Sequence, residues 1–331
     1  MLSIVIPVYN EVDSLDELHE ELSSVAAEQG YELDIIFVDD GSRDGSWQAI
    51  RQLAARDERV SGLRFRRNFG KAAALAAGFE AARGELVFTL DADLQDDPKE
   101  IPRFLAQMEA DLDVVSGWKQ VRHDPWHKVG PSRVFNWLVS WMTGVKLHDH
   151  NCGFKCYCRE IFDEVRLYGE LHRFVPVLAA ARGYRVGEIV VDHRQRQHGS
   201  SKYGVTRIVK GFLDLLTVKF LTGFGQRPQH VLGTVGILFF LLGGLVMMYL
   251  TLRWGVSRLD GNPANDFHLH ASAMFFYTIT LVLLGSQLMS IGFLAELITA
   301  YQSRDLRAYS IADRVGDEDE AQHASRLGDH A

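Results

Sequence analysis

The sequence predicts an α/β domain with a mostly parallel sheet, followed by amphipathic interface helices and two transmembrane helices. Three observations carry this expectation. Strand-like and helix-like runs alternate through the first half, which implies βαβ units. Two uncharged apolar runs, Val231–Leu252 and Ala271–Ala295, follow in the second half, and each is long enough to span a bilayer. Between the halves, Val205–Gly225 interleaves apolar residues with Lys and Arg, the pattern of a helix lying on a membrane surface. A buried core helix is the competing reading of that stretch.

The elements read in order as follows. Leu2–Tyr9 is a β-branched run, and Val12, Leu15, Leu18, Leu22 and Val25 then fall at helical spacing. Leu33–Gly41 is a second strand that closes on a turn signal. Ser46–Arg56 is a helix with Ser46 as its expected N-cap. Val60–Asn68 is a third strand. Gly70–Gly84 is an alanine-rich helix, with Gly84 expected at the left-handed position past its end. Glu85–Asp93 is a fourth strand. Asp97 and Pro98 open a helix that runs to Ala110, and Asp113–Trp118 is a fifth strand.

Of the 331 residues, 47% are hydrophobic, enough for a sizeable core. The net charge of −8 argues against a nucleic-acid partner, which demands a basic footprint. Cys152, Cys156 and Cys158 form an odd cluster that suits neither a disulfide framework nor four-ligand zinc. A reduced, strand-borne role is expected, in keeping with the cytosol. The first apolar run lacks the basic flank of a secretory signal.

The chemistry-bearing stretch is "FTLDADLQDDP", Phe88–Pro98. Asp91, Asp93 and Gln95 alternate at a strand end, and their oxygens suit Mg2+ or Mn2+. A solvated turn explains the same triplet. Ligands of open parallel sheets sit beyond the carboxyl ends of the strands, where Tyr9, Glu11, Asp40, Asp91 and Asp93 all fall. The sequence carries neither G-x-x-x-x-G-K-[ST] nor a post-strand G-x-G-x-x-G phosphate loop.

"IVIPVYNE", "VDDGSRDGS", "RNFGKAAALAAGF" and "LDADLQDDPKEIP" together resemble the family 2 glycosyltransferases of GT-A fold. "DHNCGF", "HGSSKYG" and the two terminal spans resemble, within that family, the polyprenyl-phosphate glycosyltransferases. That group includes dolichol-phosphate mannose synthase and the bacterial two-span polyprenyl-phosphate glucosyltransferases.

The resemblance implies a nucleotide-sugar-binding domain with roles for named residues. Pro7, Tyr9, Glu11, Val38 and Asp40 would hold the nucleoside. Asp91, Asp93 and Gln95 would hold the metal and the diphosphate. Arg196 and Lys202 would meet donor phosphates, and Lys119 and Arg133 the acceptor phosphate. Asp93, Arg133 and Asp149 are the catalytic candidates, with Asp149 orienting the acceptor or taking a residual proton. Relatives often carry Arg at the position of Lys119, and Trp137 stands where some offer Ser. The Q-x-x-R-W motif of processive synthases is absent, so transfer of a single sugar is expected.

The implied activity is metal-dependent, inverting transfer of one sugar from a nucleotide sugar to a polyprenyl phosphate. UDP-glucose is the favoured donor and GDP-mannose the next. A glycan or glycolipid acceptor, or a non-catalytic sugar-nucleotide-binding scaffold, are the alternatives. The expected organisation is a cytosolic catalytic domain over 1–203, interface helices over 204–230, spans over 231–252 and 271–299 joined by a short non-cytoplasmic loop, and an acidic cytosolic tail over 300–331. Arg227, Arg304 and Arg307 flank the spans and place both ends in the cytoplasm of an inner-membrane protein. Membrane lipids are then partners, and a homo-oligomer is left open.

Overall fold

The computed structural model describes residues 1–120, 126–165, 171–192, 194, 206–223, 228–259 and 267–302. Its elements are β1 (Leu2–Val8), α1 (Leu15–Gln29), β2 (Leu33–Asp39), α2 (Ser46–Arg56), β3 (Val60–Arg64), α3 (Lys71–Ala81), β4 (Leu86–Thr89), α4 (Ile101–Glu109), β5 (Val114–Trp118), α5 (Trp126–Thr143), β6 (Lys155–Cys158), α6 (Ile161–Glu164), α7 (Val175–Ala181), β7 (Val186–Val190), α8 (Thr206–Gly223), α9 (Pro228–Leu259) and α10 (Ala273–Gln302).

Seven strands form one sheet in the order β3-β2-β1-β4-β6-β5-β7. The pairs β1–β2, β1–β4, β2–β3 and β5–β7 are parallel, while β6 runs antiparallel between β4 and β5. The five expected strands are present. The strand expected to carry the cysteines is β6, which holds Cys156 and Cys158 but not Cys152, and the structure adds β7. All three cysteines are free thiols. One apolar layer joins Ile4, Ile6, Ile35 and Phe37 to Leu18 and Leu22 of α1 and to Phe104 of α4. A second layer packs Val5, Ile36, Val38 and Val87 under Leu75 and Phe79 of α3. Alternation along each strand feeds both faces, as a helix-covered parallel sheet requires.

The expected helix boundaries differ at α2 and α3. Gly45, at φ 104°, takes the N-cap position of α2, and Ser46 is the first helical residue. The Ser46 hydroxyl instead donates to Asp44 Oδ1 at 2.6 Å and accepts from the Glu11 N–H at 3.1 Å. It ties the loop after β2 to the loop after β1. Past α3, Ala82 is extended, so Gly84 is no left-handed cap. Gly84 is there for close approach: a Cβ would lie 2.7 Å from the Ser3 nitrogen and 2.8 Å from the Met1 carbonyl oxygen.

The chain divides into two compact units. The first comprises described residues of Met1–His123 and Asp149–Gly199, and the second those of Asp124–His148 and Ser200–Leu306. Helix α5 therefore groups with α8, α9 and α10. In the second unit, Pro228–Leu259 and Ala273–Ile298 are long and apolar enough to cross a membrane. They pack through glycines: a Cβ on Gly285 would stand 2.7 Å from the Gly236 carbonyl oxygen, so the backbones touch where small residues allow it.

Candidate active site

The site candidates of the first unit gather at the carboxyl ends of β1, β2, β4 and β5. Pro7 ends a ladder without cost. The Val5 carbonyl faces β4, where it accepts from the Leu90 N–H; by alternation Pro7 faces the same side, beyond the last β4 pair, Val5↔Thr89. Pro7 and Val38 are partners on β1 and β2, and Val38 is fully buried. Tyr9 is 37% exposed. Asn10 then turns the chain at φ 57°. Its N–H donates to Ser42 Oγ at 3.0 Å, and its side-chain oxygen accepts from the Arg43 N–H at 2.9 Å. With the Val12 N–H donating to Asp44 Oδ2 at 3.1 Å and the Glu11 N–H to Ser46, Tyr9 and Glu11 sit on a loop stapled to its neighbour at four places.

Asp40 is buried, and both its carboxylate oxygens already have partners. Oδ1 accepts from the Phe69 N–H at 2.6 Å and Oδ2 from the Gly70 N–H at 2.9 Å. Burial pushes its pKa up against the pull of those two bonds. The carboxylate satisfies the backbone that opens α3, where orphan N–H groups need acceptors. Its first role in the structure is thus to hold a helix start.

The next residue, Lys71, carries that start to the metal-candidate loop. Its ammonium bonds to Asp91 Oδ1. Burial would raise the Asp91 carboxyl; the Lys71 and Lys119 ammoniums overcome it and hold the group at about 2. Beyond Asp91 the chain turns at Leu94, a non-glycine residue at φ 60°. Such a conformation costs free energy and persists where surrounding contacts enforce it. The Gln95 N–H donates to Asp93 Oδ1 at 3.3 Å, and Asp93 is 5% exposed. The Arg194 N–H donates to the Gln95 carbonyl at 3.0 Å. Its guanidinium pairs with Glu21 at 2.5 Å and Asp97 at 2.7 Å. Asp97 accepts from the Lys99 N–H, but it caps a 3-10 turn over Pro98–Glu100 and not the expected α-helix, which starts at Ile101.

The donor set of Asp91, Asp93 and Gln95 is hard oxygen, ionised at Asp91 and drawn from one turn. That chemistry fits Mg2+ or Mn2+, which take one or two carboxylates and leave places for phosphate oxygens. Among the described residues no three His, Cys, Asp or Glu side chains form a metal cluster; the third donor expected from the sequence is an amide.

Lys119, expected to be an acceptor-phosphate cation, has a partner inside the protein. Its Nζ lies 2.7 Å from Asp96 Oδ1, with the two side chains 13% and 0% exposed. Asp96 is a residue to which the sequence assigned no role. Asp149 is buried and accepts from the Asn151 N–H at 3.1 Å. Nearby, the fully buried Lys155 donates to the His150 carbonyl at 3.0 Å. Burial drives the Lys155 pKa down to about 8. Arg133 lies on α5 in the second unit and is exposed. Arg196 and Lys202 lie outside the described residues. Lys71, Asp96, Lys155 and Arg194 were missed. Lys71 had the one readable signal, a cation opening a helix inside "RNFGKAAA".

Removing one partner of a buried ion pair strands the other charge and costs about 3–5 kcal/mol, whereas replacing both is near neutral. Asp96→Ala is therefore expected to destabilise the protein by about that much in chemical denaturation, and Asp96→Ala with Lys119→Met to recover most of it. A second expectation follows from Lys155. Its folded pKa lies below the usual 10.5, so the unfolded chain binds more protons between about pH 8 and 10.5. Stability should rise with pH across that window, by at most about 1.4 kcal/mol per pH unit. Lys155→Met should flatten the rise, as read from denaturation midpoints along a pH series.

Comparison with known proteins fits this geometry. The model of Glycosyl transferase family 2 matches residues 3–166. The chain is 37% identical over 313 residues to the dodecaprenyl-phosphate galacturonate synthase of Rhizobium johnstonii, covering 92% of this chain and 89% of the relative. It is 38% identical over 308 residues to the undecaprenyl-phosphate 4-deoxy-4-formamido-L-arabinose transferase of Pseudomonas fluorescens, covering 93% and 86%. In fold it is similar to the glucosyl-3-phosphoglycerate synthase of Mycobacterium tuberculosis, crystallised with Mn2+, uridine diphosphate and phosphoglyceric acid. That likeness has a TM-score of 0.51 at 15% identity and covers 65% of this chain and 78% of that one. A GT-A-like sheet with carboxylates at its carboxyl edge, two span-length helices and these relatives lead to one conclusion: the chain is a glycosyltransferase of family 2.

Proposed function

We propose that the protein transfers one sugar from a nucleotide sugar to the phosphate of a membrane polyprenyl phosphate, with inversion at the anomeric carbon. The observation that carries this is the relation to two polyprenyl-phosphate sugar transferases over about nine-tenths of the chain, soluble and span-bearing parts alike. The earlier preference for UDP-glucose over GDP-mannose finds no support in those relatives. Their names carry galacturonate and 4-deoxy-4-formamido-L-arabinose, so the donor proposed here is a nucleotide sugar with an acidic or C4-modified ring.

The chemistry asks little of a protein base. A phosphomonoester loses its second proton with a pKa near 6, so the attacking oxygen is already anionic. One bond forms, from that oxygen to the anomeric carbon. The bond from the anomeric carbon to the diphosphate breaks, and its electron pair leaves with the nucleoside diphosphate. Asp91, Asp93 and Gln95 would hold a divalent ion, which when bound supplies Lewis-acid stabilisation to the departing diphosphate. Lys71 adds positive charge on the same side. Tyr9, Glu11 and Pro7 would form the nucleoside wall, with Asp40 keeping the start of α3 beside it; the Val38 side chain is buried under α3, so Val38 would contribute through its backbone alone. Lys119, Arg133, Arg196 and Lys202 draw in the phosphates and offset repulsion between two anionic substrates. Asp149 orients the acceptor.

The acceptor explains the spans. Drawing a polyprenyl tail into water exposes about 0.8 kcal/mol per CH2, so the enzyme works at the headgroup plane of its membrane. We place it in the inner membrane with its catalytic domain in the cytosol.

The test uses detergent-purified full chain, undecaprenyl phosphate, Mn2+ or Mg2+, and a panel of UDP-galacturonate, UDP-4-deoxy-4-formamido-L-arabinose, UDP-glucose and GDP-mannose. A sugar label moving into the organic phase with one donor is the expected result, and Asp93→Ala should cut its rate at least a hundredfold. Transfer only to glycan or diacylglycerol acceptors, or full activity in Asp93→Ala, would defeat the corresponding half of the reading.

A further inference from the structure

The loop Asp149–Phe154 lies against Asp91, and the contact is at Gly153. A Cβ placed on Gly153 would stand 2.6 Å from Asp91 Oδ2, 2.8 Å from its Cγ and 2.9 Å from its Oδ1. No real Cβ approaches other heavy atoms so closely. Gly153 is not among the residues with positive φ, so its backbone accepts any L-residue. The three nearest atoms all belong to the Asp91 carboxylate, so that group stands against a side chain here.

The loop is fixed around that gap. Thr89, the last residue of β4, donates its hydroxyl to the Gly153 carbonyl at 2.6 Å. The Gly117 N–H donates to the Phe154 carbonyl at 2.9 Å. Lys155 holds the His150 carbonyl from below, and β6 pairs Lys155 with Thr89. Cys152 is buried beside Gly117, whose own Cβ would lie 3.0 Å from Cys152 Sγ. Neither side of the contact can yield cheaply, because Asp91 is short and pinned by Lys71 on its other side.

We propose that Gly153 is a positioning residue: its missing side chain forms the seat that aims the Asp91 carboxylate at Lys71 and at the donor diphosphate. The direction of Asp91 is then set by a loop distant in sequence and not by its own turn. This rests on the donor-side role proposed for Asp91. Displacing a reacting or binding group by about 1 Å can cost a hundredfold, so one methyl group here has leverage.

Two measurements on the detergent-purified full chain test it. The first is a thermal-stability cycle without added metal or nucleotide. Gly153→Ala should lower Tm by several degrees in the parent and leave it unchanged in an Asp91→Ala background, where all three clashing atoms are gone. Coupling of that kind is what a double-mutant cycle isolates. An equal loss in both backgrounds, or none in the parent, overturns the proposal. The second is calorimetric binding of UDP, with GDP run in parallel, in Mn2+ and in EDTA. Gly153→Ala should weaken the Mn2+-dependent affinity at least tenfold and leave the metal-free affinity unchanged. Loss of Mn2+-dependent binding in Asp91→Ala but not in Gly153→Ala overturns the positioning role alone. Retention in both overturns the donor-side assignment of Asp91 as well. If Gly153→Ala does not fold, Thr89→Val removes only the hydroxyl that anchors the Gly153 carbonyl. It should weaken Mn2+-dependent binding severalfold, and unchanged binding overturns the proposal.

Discussion

The start of α3 is the point on which the carboxyl edge depends. Two carboxylates hold it, one after β2 and one after β4, the strands on either side of β1: Asp40 takes the N–H groups of Phe69 and Gly70, and Asp91 takes the Lys71 ammonium. Carboxylates leave water at a cost that only charges and directed N–H groups offset. Here they are offset by the one feature of a βαβ unit that offers both, the helix N-terminus with its orphan donors. The bonds also run sideways. They lock β2 to the helix after β3, and that helix to the turn after β4. A nucleotide arriving at this edge meets groups whose directions are already set.

Much of this was legible in the sequence, for a physical reason. Strands β1 to β5 are β-branched runs followed by polar turns, and each turn must come to the same edge if the strands are parallel. Asp40, Asp91, Asp93 and Gln95 could therefore be placed together without seeing any contact. What could not be read is which partner each side chain takes. Asp96 looked like a spare acid because its Lys119 partner follows β5, and only the sheet order brings them to 2.7 Å. Gly153 falls in the DHNCGF motif, but its contact with Asp91 is not legible there, since a glycine needed for approach looks like any glycine. The cysteine-bearing strand was expected, but its four-residue extent and its antiparallel direction were not legible in so short an alternation. Ser46 was misplaced because a hydroxyl before a helix reads as a cap, while here Gly45 turns the chain and frees the hydroxyl to staple two loops.

The second unit obeys different physics. Lipid gives no hydrophobic drive between spans, so close packing and satisfied polar groups must suffice. Gly236 and Gly285 bring the backbones of α9 and α10 together. Glu296 lies within the second expected span, where an acid is expensive. Its position has a reason: Oε2 accepts from the Gln229 N–H at 3.2 Å, in the first turn of α9. A carboxylate there satisfies an orphan donor and meets the positive end of the helix. The same device that fixes α3 in the soluble unit ends a span in the other. On α5, Trp137 and Trp141 stack at 6.2 Å while 65% and 71% exposed, a placement suited to an interface and not to a core.

Charge at the edge explains why the proposed reaction would lean on a metal. Asp40, Asp91, Asp93, Asp96 and Asp149 stand there with Lys71, Lys119 and Lys155 as cations. His172 adds nothing, because burial, reinforced by nearby Lys71 and Arg173, holds its imidazole neutral with a pKa of about 2. Lys71 and Lys119 are each bound to one of those carboxylates, which leaves less of their charge for a diphosphate and a phosphate together. A divalent ion on Asp91, Asp93 and Gln95 would add positive charge on the donor side. The pairing of Lys119 with Asp96 then reads as restraint. An ammonium held by a buried carboxylate stays in one place and keeps donors for a phosphate, so position is gained where charge is given up.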